Sequence, residues 1–155
     1  MTSNNKTCVG WREWVMFPDF GQFYVKAKVD TGAKTSALHA FFVEPFSRSG
    51  NDWVRFGLHP KQHSNEPEYI CESPVLDRRT VTDSGGHKEE RYVIETAISI
   101  AGNTLLTEMT LTNRETMLFR MLLGRNTLSG HFLVDPELSF LCGGDKTSAP
   151  DTERR

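Results

Sequence analysis

The stretch from Gln22 to Asp30 constrains this chain most, because it alternates residue by residue and then stops on an acid. Phe23, Val25, Ala27 and Val29 share one face, while Tyr24, Lys26 and Lys28 share the other. Period-two alternation of that length predicts a half-buried strand. Pro18, Asp19 and Gly21 supply the turn that separates it from an earlier strand, Trp11 to Phe17. Further strands are expected at Trp53–Leu58, Val75–Val81, Arg91–Ile100 and Leu105–Leu111, divided by clusters of Gly, Asn, Pro and Ser. Many short strands with turn signals between them predict an all-β sandwich or barrel. Two segments depart from this pattern. His59 to Glu68 is polar with two prolines and reads as an exposed loop, and Gly124 to Gly130 has room for one or two helical turns.

At 155 residues the chain suits one well-buried core. We expect an N-terminal arm over 1–8, one domain over 9–141 and a tail over 142–155, where little is left to bury. The net charge is -2 and the basic residues lie scattered among acids, so the linear sequence shows no basic stripe for nucleic acid. The apolar runs around Leu38–Val43 and Met117–Leu123 are far shorter than the ~20 residues that cross a bilayer. The first residues lack the apolar run of a secretory signal. The 3 cysteines, Cys8, Cys71 and Cys142, are widely spaced and form no C-x-x-C pair. This usage fits reduced thiols in the cytoplasm.

The chemistry centres on Val29-Asp30-Thr31-Gly32-Ala33, placed where the apolar strand ends. An aspartate there leaves the core face and enters a tight turn. Gly32 permits close backbone approach, and the Thr31 hydroxyl and Gly32 N–H are placed to orient the carboxylate. The same three letters also make an ordinary turn, since Asp and Gly are favoured there for backbone reasons. A second segment bears on the choice: Met121-Leu122-Leu123-Gly124-Arg125-Asn126 lies downstream in the same small all-β chain. Taken alone, it is a buried strand ending at a glycine.

In that order, the two motifs resemble those of the retropepsins. The resemblance implies a closed acid-protease barrel with Asp30 as the catalytic residue, supported by Thr31, Gly32 and Ala33. It makes Leu122, Leu123 and Gly124 a strand packed beside the catalytic loop, with Arg125 opening a short helix. The likeness extends over roughly residues 9 to 141 to a bacterial family called RimB-like, also labelled "ATP-dependent zinc protease". It is carried by Val9-Gly10-Trp11-Arg12-Glu13-Trp14-Val15, by Ala27 through Ala40, by Arg79-Thr80-Val81, Ser84-Gly85 and Glu90-Arg91. Leu122 to Arg125 and Phe132-Leu133-Val134-Asp135-Pro136 complete it.

The residues fit the word protease better than the rest of that label. A zinc hydrolase needs three protein ligands, often from an H-E-x-x-H helix. Of the 5 histidines only His59 and His63 are spaced by four, and Pro60 and the missing acid spoil that pattern. There is no glycine-rich phosphate loop ending in Gly-Lys-Ser or Gly-Lys-Thr. Neither metal nor cofactor is expected.

Aspartic proteolysis requires two carboxylates a few ångströms apart that share one proton. The resemblance implies a homodimer that brings two copies of Asp30 together across a two-fold axis. Asp83-Ser84-Gly85 also fits the Asp-Ser/Thr-Gly pattern, but Val81 is its only apolar approach and there is no second Leu-Leu-Gly segment. Thr80 to Ile94 reads instead as a hairpin with Ser84, Gly85 and Gly86 near its tip, which the resemblance makes a flap. One departure from the retroviral pattern stands out. Lys34 occupies the place of the acid that usually pairs with the arginine, so Arg125 must turn to Asp135 or to a backbone carbonyl. Thr35 and Ser36 read either as turn residues or as supports of the loop. The leading function is an aspartic endopeptidase acting on an extended peptide or protein. A binding or regulatory module working with an ATP-grasp glutamate ligase is the alternative, with a metal-dependent protease third.

Overall fold

The computed structural model describes residues 6–82, 85–113 and 119–141. Their elements run β1 (Thr7–Val9), β2 (Arg12–Met16), β3 (Tyr24–Val29), β4 (Ser36–His39), β5 (Phe42–Arg48) and β6 (Asn51–Leu58). Then come β7 (Tyr69–Pro74), β8 (Asp77–Thr82), β9 (Lys88–Ile100), β10 (Asn103–Thr112), β11 (Met121–Leu123), α1 (Arg125–Leu128) and β12 (Phe132–Val134). The largest sheet has the order β10-β4-β11-β3-β2-β9-β8, and β10 pairs with β9 as well. That extra pairing closes a barrel-like ring, with β8 outside it on β9. The expected all-β barrel with one short helix after Leu-Leu-Gly-Arg is what the chain forms.

The 13 residues of β9 make the closure work. Val93 pairs with both Asp77 of β8 and Thr110 of β10, while Ser99 reaches Met16 of β2. The core inside the ring gathers Val15, Val25, Ala27, Leu38, Ile94, Ile98, Met109, Met121 and Leu123, all essentially sealed from solvent. A large aliphatic side chain buried that fully contributes roughly 1.5–3 kcal/mol. A separate sheet, β5-β6-β7, packs on this core through aromatic contacts. Phe20 meets Phe56 edge-on at 5.4 Å, and Phe23 stacks on Tyr69 at 4.2 Å.

The segment after β12 returns across the start of β2. Trp11 N–H donates to Leu138 O at 2.8 Å and Phe140 N–H to Arg12 O at 2.9 Å. Buried Glu13 accepts from the N–H groups of Gly10 (2.7 Å) and Leu141 (2.9 Å). A side chain at position 10 would lie 2.2 Å from Leu138 O, so the Val-Gly-Trp motif needs its glycine. This return also explains a departure from the alternation in β3. Lys26 is buried instead of solvated, its ammonium 5.4 Å from the Trp14 ring, and Trp14 in turn stacks on Phe140.

Three longer strands escaped the alternation pattern. β4 is buried at every position, so it has no polar face to alternate with. β5 contains Pro45, which an edge strand tolerates because the missing N–H removes no ladder bond. β7 follows the polar loop over 59–68, which is irregular as expected, although His59 and Pro60 at its start are buried and not exposed. No helix among the described residues is long and apolar enough to cross a membrane. The expected tail over 142–155 lies outside the described residues, as does Cys142.

Cys71 points into the core beneath the second sheet, and burial pushes its thiol up to about 12. A thiol is nucleophilic only as thiolate. Alkylation of the native protein at about pH 8, read by peptide mass spectrometry, is therefore expected to modify exposed Cys8. Cys71 should stay intact until denaturant is added.

Candidate active site

Asp30 follows the last residue of β3, where the chain leaves the ring. Val29 lies beside Leu123 in the parallel β3–β11 ladder, and Asp30 N–H donates to Leu123 O at 2.9 Å. The backbone then tightens, with Ala33 N–H donating to Asp30 O at 3.2 Å. Gly32 N–H donates to Asp30 Oδ1 at 2.9 Å, and a side chain on Gly32 would come within 3.2 Å of that oxygen. Thr31 contributes its carbonyl. Arg125 Nη1 donates to it at 3.1 Å, so of the two partners foreseen for Arg125 the chain uses the backbone carbonyl.

The start of α1 clamps this loop along its length. Arg125 N–H donates to Ala33 O at 2.8 Å and Asn126 N–H to Lys34 O at 3.1 Å. Asn126 Oδ1 accepts from Ser36 N–H (2.8 Å) and from the Ser36 hydroxyl (2.9 Å), while its amide donates to Glu108 O at 2.9 Å. The Ser36 hydroxyl also accepts from Gly124 N–H at 2.9 Å. Two more buried hydroxyls extend the network, Thr127 at 2.6 Å from Ser36 and Thr107 at 2.6 Å from Thr127. Because a hydroxyl carries one hydrogen, the bond to Asn126 Oδ1 sets every direction. Ser36 donates to Asn126, so Thr127 donates to Ser36 and Thr107 to Thr127. Gly124 is required here, since a Cβ would meet the Thr35 carbonyl carbon at 2.8 Å and Ala33 O at 2.9 Å.

β11 sorts its leucines by face. Leu123 enters the core, whereas Leu122 borders a cavity of about 1080 Å³. Asp30, Gly32, Ala33, Lys34, Thr35 and Arg125 form one side of that cavity. The β8–β9 hairpin forms another part of the lining through Arg79, Thr80, Val81, Thr82 and Arg91. Gly85 and Gly86 lie toward the hairpin tip, and Gly86 has φ +85. Ser84, also expected at the tip, lies outside the described residues together with Asp83.

Among the described residues, Asp30 is the one carboxylate bordering the cavity, against the cations Lys34, Arg79, Arg91 and Arg125. Among the described residues no histidine or cysteine borders it, and no three His, Cys, Asp or Glu side chains gather as a metal site would need. This donor set does not fit a catalytic zinc. His59 instead stacks on Phe41 at 4.0 Å, with Glu68 at 3.3 Å from its Nε2.

Residues 8–143 match the family model described as "RimB-like: Retropepsin-like aspartic endopeptidase RimB". The chain belongs to the RimB-like family. A crystal structure of Lpg0085, a protein of unknown function from Legionella pneumophila, superposes with a TM-score of 0.74. That pair is 26% identical, over 90% of this chain and 99% of the Legionella one. Among curated proteins, a probable alpha-L-glutamate ligase of Shewanella pealeana is 49% identical over 93% of this chain. Similarly named proteins of Shewanella halifaxensis and Desulfotalea psychrophila are 48% and 40% identical over 91% and 89% of it. This RimB-like chain spans 31% of the length of both Shewanella relatives.

The motifs quoted from the sequence thus come together: Asp30, Thr31, Gly32 and Ala33 in one turn, held by Leu123, Gly124 and Arg125. The support from Thr107 and Thr127 had no signal in the sequence, and Ser36 proves to be a buried support at the start of β4. Replacing Ser36 by alanine leaves Gly124 N–H and Thr127 without their partner. We expect the Ser36→Ala variant to lose about 1–3 kcal/mol, seen as a lower urea midpoint with an unchanged m-value.

Proposed function

We propose that this chain is one half of an aspartic endopeptidase that works as a homodimer, with Asp30 from each copy facing the same peptide bond. The supporting observation is Asp30 itself, a single carboxylate set by a backbone N–H at the edge of a large cavity. One carboxylate cannot be both base and acid at once. In the pair, the ionised member takes a proton from a water while the protonated member donates a hydrogen bond to the scissile carbonyl. The water oxygen attacks the carbonyl carbon, giving a tetrahedral diol. A proton passes to the amide nitrogen, the C–N bond breaks, and one water has been consumed to give an acid and an amine. The hairpin over the cavity acts as a flap that excludes bulk water from an extended peptide. With the donors of Lys34, Arg79, Arg91 and Arg125 bordering the cavity, peptides rich in acidic side chains, met at contact by these groups, are the substrates it suits.

The relatives' names support a second reading. The region like this chain forms about a third of proteins named as probable alpha-L-glutamate ligases, so we infer an association with such a ligase. Any requirement for ATP then belongs to the ligase. The two readings are compatible, because a ligase that joins α-linked glutamates makes peptides of the acidic kind this cavity suits.

Asp30→Asn is expected to keep the fold and to lower peptide cleavage by about a thousandfold or more. Asp83→Asn should retain most activity, and a chelator should change nothing. Mixing tests the shared site directly. In an equal mixture of wild type and Asp30→Asn that exchanges subunits, about one quarter of dimers carry two intact aspartates. Activity should fall to that fraction of an all-wild-type sample; a fall to one half would mean that each chain works alone.

A further inference from the structure

Arg79 and Arg91 are direct partners across the β8–β9 ladder. Directly paired residues of antiparallel strands project from the same face, and like charges in that position are destabilising. Both arginines border the cavity, and Arg91 is only 8% exposed. Burying a guanidinium beside another is costly unless each is well bonded. Here each is held from behind. Arg79 Nε meets Asp77 at 2.8 Å and its Nη1 meets Glu108 at 2.9 Å. Arg91 Nε meets Glu89 at 2.9 Å and its Nη1 meets the Thr110 hydroxyl at 3.2 Å, while the Thr112 hydroxyl secures Glu89. The hydrogen bonds to Asp77 and Glu108 also hold the Arg79 proton more firmly than usual. In both residues Nη2 is left without a hydrogen-bond partner among the described residues.

We propose that Arg79 and Arg91 together form a carboxylate-binding subsite that receives a glutamate or aspartate side chain of the peptide. The assignment rests on the peptidase reading above and names the residues that would give it specificity. The three carboxylates behind the pair outnumber the two guanidiniums, so the subsite offers little long-range attraction. It recognises a carboxylate at contact, through N–H donors that neighbouring bonds fix in advance on one face of the hairpin. Glu89 competes with a ligand for the charge of Arg91, and this fixes the sign of its effect: neutralising Glu89 should strengthen recognition.

The test uses two fluorogenic octapeptides, one alternating alanine with glutamate and the other alanine with glutamine. The wild type should favour the glutamate peptide in kcat/KM by about tenfold or more. Arg79→Gln or Arg91→Gln should bring that ratio to within about twofold of unity, whereas Glu89→Gln should raise it several-fold. A general loss of packing lowers both peptides together and leaves the ratio alone. An unchanged ratio in both arginine variants, or a lower one in Glu89→Gln, would overturn the subsite. If the wild type cuts neither peptide, the peptidase reading fails separately, and binding of the same peptides is measured by fluorescence anisotropy. The glutamate peptide should then bind more tightly to the wild type than to Arg91→Gln, and equal affinities would sink the subsite on its own.

Discussion

The hydrogen bonds between the loop after β3 and the first turn of α1 hold together everything the cavity depends on. The two segments are about ninety residues apart in the chain, as with Ser36 and Asn126, so ordering one against the other costs substantial loop-closure entropy. Helix propensity cannot meet that cost, because α1 has only 4 residues and no side-chain cap. The clamp holds because its bonds close together over a buried centre, where the Ser36 and Thr127 hydroxyls and the Gly124 N–H meet beneath the exposed residues 31, 34, 125 and 126. Thr31, Ala33 and Lys34 turn their carbonyls toward α1, and Arg125 and Asn126 supply the donors. Opening the clamp would strand the buried Ser36, Thr127 and Gly124 groups away from water, each costing about 1–3 kcal/mol. Residue 30 is therefore held by the whole set of bonds more than by any one of them.

β11 carries this constraint into the barrel. It lies between β3, which runs parallel to it, and β4, which runs antiparallel. Its side chains alternate, so Met121 and Leu123 lock into the core while Leu122 faces the cavity. A one-residue slip would exchange these faces, expose two core side chains and pull Gly124 away from the Ala33–Thr35 backbone that requires it. The register of a three-residue strand is thus set by core packing on one side and by a glycine contact on the other.

The sequence revealed the parts whose signal is local. Alternation located β3, and clusters of Gly, Asn, Pro and Ser divided off the strands expected at Arg91–Ile100 and Leu105–Leu111, which are β9 and β10. The Asp-Thr-Gly and Leu-Leu-Gly-Arg-Asn motifs could be paired because their order matched a known family. The buried hydroxyls gave no such warning, since Thr107 and Thr127 read as ordinary polar positions and only the fold brings them within 2.6 Å of one another. β4 was invisible for the opposite reason, being central and buried on both faces. Arg79 and Arg91 stand between these cases. A hairpin centred on Gly85 pairs residue 82 with 88, and counting outward from that pair sets 79 against 91. The arithmetic was available, but without a cavity there was no reason to ask which face the pair would occupy.

The cavity's two sides are not independent, because one hydroxyl joins them. Thr110 of β10 donates to Ser36 O at 3.3 Å and accepts from Arg91 Nη1 at 3.2 Å. Its single hydrogen goes to the carbonyl, which can only accept, and its lone pairs remain for the guanidinium. A threonine suits this position, since branching at Cβ limits its rotamers and fixes where the hydroxyl points. The arginine side is thereby tied to Ser36, and through Ser36 to Gly124, Asn126 and the loop that carries Asp30. In the proposed peptidase, a chain gripped at Arg91 would be presented at a set distance from Asp30, as positioning for reaction demands. The hairpin and the Asp30 loop can share one geometry, as the proposed function requires, because β9, β10 and β4 are consecutive neighbours in the ring.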